Sequence, residues 1–121
     1  MVALQGELSN KYQVCNGIYN LSSSLLNGKP FWLQEFGSQA IWFDNTYKNW
    51  KIGNISYLGM ASGAKLLTHR GTAVSALPNE ICPWKYFENG TWVASNDVIV
   101  IDTASEKGNC GSKLLHLAFF L

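Results

Sequence analysis

Apolar and polar positions alternate in short runs along the chain, and nowhere do apolar residues recur at the three- and four-residue spacing of a sustained amphipathic helix. The densest run spans 29–53. Pro30 cannot donate to a ladder and therefore belongs at the start of a strand. Phe31 to Phe36 reads as a first strand, Gly37-Ser38 as a turn and Gln39 to Asp44 as a second strand. A polar loop from Asp44 to Lys48 follows, and Asn49 to Ile52 returns. Two-residue periodicity puts Ile41 and Phe43 on one face and Ala40, Trp42 and Asp44 on the other. Pairing with Trp50 and Ile52 buries one apolar face and leaves Trp42 beside Asp44 and Lys51 on the wetter one.

The flanking segments repeat this grammar. Val2, Leu4 and Leu8 suit an edge strand. Tyr12 to Cys15 and Gly17 to Tyr19 suit a strand interrupted at Asn16-Gly17, and Asn27-Gly28 is a strong turn dipeptide. Glycines punctuate 53–71, with short strands expected at Ile55 to Leu58, Lys65 to Leu67 and Thr72 to Leu77. Trp84 to Val93, with Asn89-Gly90 at its centre, is the clearest hairpin. Asp97 to Asp102 is a β-branched run suited to a mostly buried strand, Ala104 to Ser112 a loop, and the apolar segment 113–121 either a last strand, a short helix or expression-derived sequence. The pattern predicts one all-β domain over 1–121, a small sandwich or barrel of antiparallel meanders and hairpins, with its core module at about 12–102.

Composition narrows the partners. Only 14% of residues are charged and the formal net charge is +1, a weak footprint for nucleic acid and a mild aid to homodimerisation. No run approaches the ~18 apolar residues of a membrane span. The first residues lack a secretory leader, which fits either a cytosolic protein or a mature fragment with an added Met. Asn20, Asn54 and Asn89 each open an Asn-X-Ser/Thr sequon and favour an extracellular, glycosylated protein over a cytoplasmic one. Cys15, Cys82 and Cys110 are an odd set with no metal-ligand spacing, so no metal or cofactor is expected, and spacing leaves any disulfide pairing open.

Gly17-Ile18-Tyr19, Asn27-Gly28-Lys29-Pro30-Phe31-Trp32, Ile41-Trp42-Phe43 and Asn49-Trp50-Lys51-Ile52-Gly53 form a pattern of spacing and residue type, closed by Pro83-Trp84 and Gly90-Thr91-Trp92. Over roughly 15–102 this resembles a small Trp-rich β module of uncharacterised protist and marine-invertebrate proteins. The resemblance implies an extracellular-style β module and no chemistry.

Five tryptophans are many for so small a domain. Most are expected in the core, where large aromatics bury the most area. Trp42 is the exception by strand phase, an open ring for stacking on a sugar face, with Asp44, Asn45 and Asn49 as hydroxyl partners and Trp32 as a second ring. Glu35, Asp44, Asp97 and Asp102 are the carboxylates that strands could bring together for glycoside hydrolysis, but no separation follows from sequence. Cysteine or histidine nucleophile chemistry has no local signature, and Gly59 to Lys65 lacks the spacing of a phosphate loop. The expected function is a non-catalytic carbohydrate-binding module. The alternatives are a structural or self-assembling interaction domain and a small barrel around an apolar ligand.

Overall fold

The computed structural model describes residues 2–5, 12–71, 77–81, 83–95, 99–102 and 107–108. The described residues form ten strands: β1 Val2–Gln5, β2 Gly17–Leu21, β3 Trp32–Gln34, β4 Gln39–Asp44, β5 Asn49–Asn54, β6 Ala64–Leu67, β7 Trp84–Glu88, β8 Thr91–Ser95, β9 Ile99–Asp102 and β10 Lys107–Gly108. Among them lie three 3-10 turns and no α-helix, so no described helix is long and apolar enough to cross a membrane. The fold is all-β.

Every strand from β1 to β8 pairs antiparallel with its neighbours in sequence, and β9 and β10 add beyond β1. The N-terminal segment is thus no edge strand: β1 lies between β2 and β9. One continuous sheet takes the place of the two packed sheets of a sandwich. Laid flat, it would hold β8 and β9 about 38 Å apart, given a strand spacing near 4.8 Å. Ser95 and Ile99 are only four positions apart in sequence, a reach of at most ~14 Å. The sheet must therefore roll, and contacts across the roll agree. Tyr12, just before β2, donates its hydroxyl to the Phe87 carbonyl of β7 and packs its ring on Tyr86 at 5.8 Å between centroids.

The concave side is filled with rings. Ile41 pairs with Ile52 and Phe43 with Trp50, the register expected from alternation. Trp50 meets Phe43 and Trp32 edge-on, with centroids 5.3 Å and 5.8 Å away. Such pairs add about 0.5–1.5 kcal/mol each beyond the burial of their area. Val2, Tyr19, Leu66, Trp84 and Val100 complete the same cluster, which joins β1, β2, β6, β7 and β9 into one core. Asn27 and Gly28 both take positive φ, as do Asn89 and Gly90, which is the backbone that two-residue hairpin loops require.

Several boundaries differ from expectation. The first strand of the meander is Trp32–Gln34, shorter than 31–36, because Glu35 and Phe36 enter the turn and Phe36 has φ 58°. Gln13–Cys15 and Ile55–Tyr57 are 3-10 turns; the second is capped by the Asn54 side chain, which accepts from the Ser56 N–H at 2.9 Å. Lys107–Gly108 pairs with β9 inside the stretch expected to be loop. The expected strand at 72–77 falls mostly outside the described residues, as do Cys82, Asp97, Cys110 and the 113–121 segment. Cys15 is buried and its thiol is free.

Candidate binding site

The outer face of β4 and β5 carries Trp42, Asp44 and Lys51, as the alternation requires, but that face is not wet. Trp42 is 0% exposed. Phe31, Ala40, Leu26, Leu33 and Leu58 form a second apolar cluster with it, and its indole N–H donates to the Met60 carbonyl at 3.2 Å. Two loops, one following β2 and one following β5, cover the ring. This corrects the expectation of an open stacking surface: periodicity assigns a residue to a face and says nothing of what packs over it. Trp32 is likewise buried, edge-on to Trp50. Asp44 and Asn49 are buried too, and only Asn45 of the five expected ligand residues is exposed.

Asp44 and Asn49 have internal work instead. Asp44 accepts from the Thr46 N–H at 2.9 Å and the Tyr47 N–H at 3.4 Å, which shapes the β4–β5 turn and sets Tyr47 beyond it. Its Oδ2 also holds the Lys51 ammonium at 3.1 Å, both side chains being 2% exposed. Asn49 accepts from Lys51 Nζ at 2.9 Å and donates to the Thr68 carbonyl at 3.0 Å. Burial lowers the Lys51 pKa from 10.5; Asp44 opposes the shift and Arg70 adds to it. An ammonium has three donors. The third has no acceptor among the described residues.

Lys51 stands at one end of a row on the outer face. In register it neighbours Leu67 of β6, and Leu67 neighbours Lys85 of β7. This row floors a cleft of about 380 Å³. One wall carries Tyr47, His69 and Arg70, another the 61–64 loop, and Trp92 of β8 closes an end. Chain beyond β6 is tied back onto β5 by the Thr68 N–H to the Trp50 carbonyl at 3.0 Å and the Trp50 N–H to Thr68 Oγ1 at 2.9 Å. The Gly71 N–H then reaches the Tyr47 carbonyl at 3.1 Å, and the Arg70 guanidinium lies over the Tyr47 ring, 4.1 Å from its centroid. At the other end the Asn89-Gly90 turn sets Trp92 opposite Phe87, their rings edge-on at 5.3 Å, with Trp92 38% exposed.

The three sequon asparagines are also placed. Asn89 is exposed at its hairpin tip with φ 50°. Asn20 is half-buried on β2 and donates to Glu35 at 3.2 Å, and Asn54 is used as a turn cap. Of the carboxylates weighed for hydrolysis, Asp44 is committed to Lys51 and its turn, and Glu35 lies exposed in the β3–β4 turn.

Of the cleft residues, strand phase marks Lys51 as a polar neighbour of Trp42, and Trp92 is marked by the closing Gly90-Thr91-Trp92. Arg70 and Lys85 carried no signal, because each sits in an ordinary polar context and only non-local pairing brings them to one face. No protein-family model, curated protein or solved structure matches the chain.

Proposed function

We propose that the protein is a non-catalytic binding module whose ligand is carbohydrate, held in the cleft between Trp92 and Tyr47. One observation carries the reading. A half-exposed indole closes one end of a 380 Å³ cleft floored by Lys51, Leu67 and Lys85. That size falls within the ~300–1,000 Å³ of small-ligand sites. Trp92 offers an apolar face for sugar C–H groups, while Ser62, His69 and Lys85 offer partners for hydroxyls. The arrangement keeps the stacking chemistry expected of this sequence and moves it from Trp42 to Trp92. The barrel alternative is disfavoured because the concave side is filled by Trp32, Trp50, Trp84 and Tyr19. A place at the cell surface or in a matrix is part of this reading, supported by the sequons at Asn20, Asn54 and Asn89.

A glycan array probed with the labelled protein tests it. Binding should fall about tenfold or more in Trp92→Ala, as for an aromatic anchor. A wild-type protein that binds no glycan refutes the reading.

Self-association is the second reading. It is favoured by the exposed Phe87 and Trp92 at the β8 end of the sheet order, an edge with no further strand among the described residues and so open to another chain. Light scattering over a concentration series, in which wild type dimerises and Trp92→Ala does not, would support it.

A further inference from the structure

We propose that the ligand of this cleft is acidic, its anionic group being clamped by Arg70 with Lys85 and Lys51 while its ring lies on Trp92. The inference rests on the carbohydrate reading and deepens it. Among the described residues the lining contains three cations and no carboxylate, on a protein whose formal net charge is only +1. That concentration of one sign is local.

Two cationic groups of the cleft, on Arg70 and Lys85, are uncommitted among the described residues. The Arg70 guanidinium lies over the Tyr47 ring, 4.1 Å from its centroid, and the 69–71 turn beneath it is pinned by the Gly71 to Tyr47 hydrogen bond. Among the described residues its guanidinium has no hydrogen-bond or ion-pair partner. Its donors form a planar fork matched to carboxylate or sulfate oxygens. Lys85 likewise has no ion partner among the described residues. Lys51 differs: Asp44 balances its charge, Asn49 accepts a second N–H and the Tyr47 ring lies 5.2 Å away, so it contributes a fixed ammonium at one end of the floor. A pre-positioned fork and a fixed ammonium need little reordering to take an anion, which limits the entropic cost of capture.

The test is an NMR titration of the intact protein, following the Trp92 indole N–H and the Arg70 Nε–H. The probes are glucose and galactose, their uronates, their 6-sulfates, and sodium sulfate. Uronate or sulfated sugar should bind about tenfold or more tightly than its neutral parent at low salt, as charge-assisted hydrogen bonds predict. The preference should shrink as NaCl is raised to about 0.5 M, where the screening length falls to a few ångströms. Arg70→Gln should bring the acidic-to-neutral ratio towards one. Arg70→Lys, which keeps the charge and loses the fork, should recover only part of it. Lys85→Gln, on the rigid floor, gives a second independent loss. The uronate and sulfate arms separate the two sources of the anion.

Equal binding of acidic and neutral sugars, or a preference that survives Arg70→Gln and Lys85→Gln, overturns the acidic ligand and leaves the carbohydrate reading standing. Sulfate binding with no sugar binding upholds the clamp and overturns the carbohydrate reading. No shift at either signal with any probe overturns both.

Discussion

Removing the Asp44 carboxylate charge should destabilise the protein far more than loss of an ordinary surface ion pair. Both members of the Asp44–Lys51 pair are 2% exposed, so solvent does little to screen either. In Asp44→Asn the amide oxygen, placed at the Oδ1 position, can still accept from Thr46 and keeps that cap of the β4–β5 turn, while an NH2 replaces Oδ2, the acceptor for Lys51 and for the longer Tyr47 N–H bond. What changes is that Lys51 retains only Asn49 and the Tyr47 ring, 5.2 Å away, against the charges of Arg70 and Lys85 in the same cleft. Breaking one side of a buried pair costs about 3–5 kcal/mol. Exposed pairs give about 0–1 kcal/mol. Lys51→Met should cost a similar amount, since it strands the carboxylate. The double variant Asp44→Asn/Lys51→Met should cost less than the two together, with a coupling of about 1–3 kcal/mol. Urea unfolding followed by tryptophan fluorescence measures all three.

The pH dependence gives a second reading of the same pair. The folded protein already holds the Lys51 pKa below 10.5, and loss of Asp44 removes the influence that raises it. Between the folded pKa and 10.5 the unfolded chain binds more protons at this site, so its contribution to stability rises with pH. Cys15, raised to about 11, and Tyr19, also raised by burial, act the other way above their unfolded values, where the native state binds more protons. Subtracting wild type from Asp44→Asn cancels those two groups. The deficit of the variant should therefore narrow as pH rises towards 10. Single-variant losses below 1 kcal/mol that simply add, or a deficit flat in pH, would refute the idea of a dry pair.

Two further outcomes follow from the burial of particular groups. Trp42→Ala should act as a core truncation, lowering stability by about 3–5 kcal/mol in urea unfolding; a loss under 1 kcal/mol would mean that the loops over the ring do not pack on it. Cys15, free and buried with its pKa raised to about 11 by desolvation, should resist a thiol reagent at pH 8 in the folded protein and react after denaturation. Mass-spectrometric mapping distinguishes it from Cys82 and Cys110, and rapid labelling of native Cys15 would overturn the assignment.

Local physics was legible along the chain. Alternation placed Ile41, Phe43, Trp50 and Ile52 on one face, and the structure pairs them in that register. Asn27-Gly28 and Asn89-Gly90 adopt the positive φ values that their side chains tolerate. These features depend on a residue and its near neighbours, so sequence determined them: an all-β chain, its central meander and its two tight turns. What lay on the outer face was decided elsewhere. Trp42 was assigned to the correct face and the wrong environment, because its cover comes from Leu26, Phe31 and Leu58 in two other segments.

The cleft shows the same division more sharply. Tyr47, Lys51, Arg70, Lys85 and Trp92 span more than a third of the chain, and although Tyr47 with Lys51 and Lys85 with Trp92 each share a hairpin, no local rule brings the two hairpins and Arg70 together. They meet because β5, β6, β7 and β8 pair in one register and the chain past β6 folds back on Tyr47. β1 takes its place between β2 and β9 only because the rolled sheet brings chain ends together. Sequence alone determined which faces exist. Only the tertiary structure decided which are covered and which are left open to a ligand, since cover depends on pairings between residues far apart in the chain.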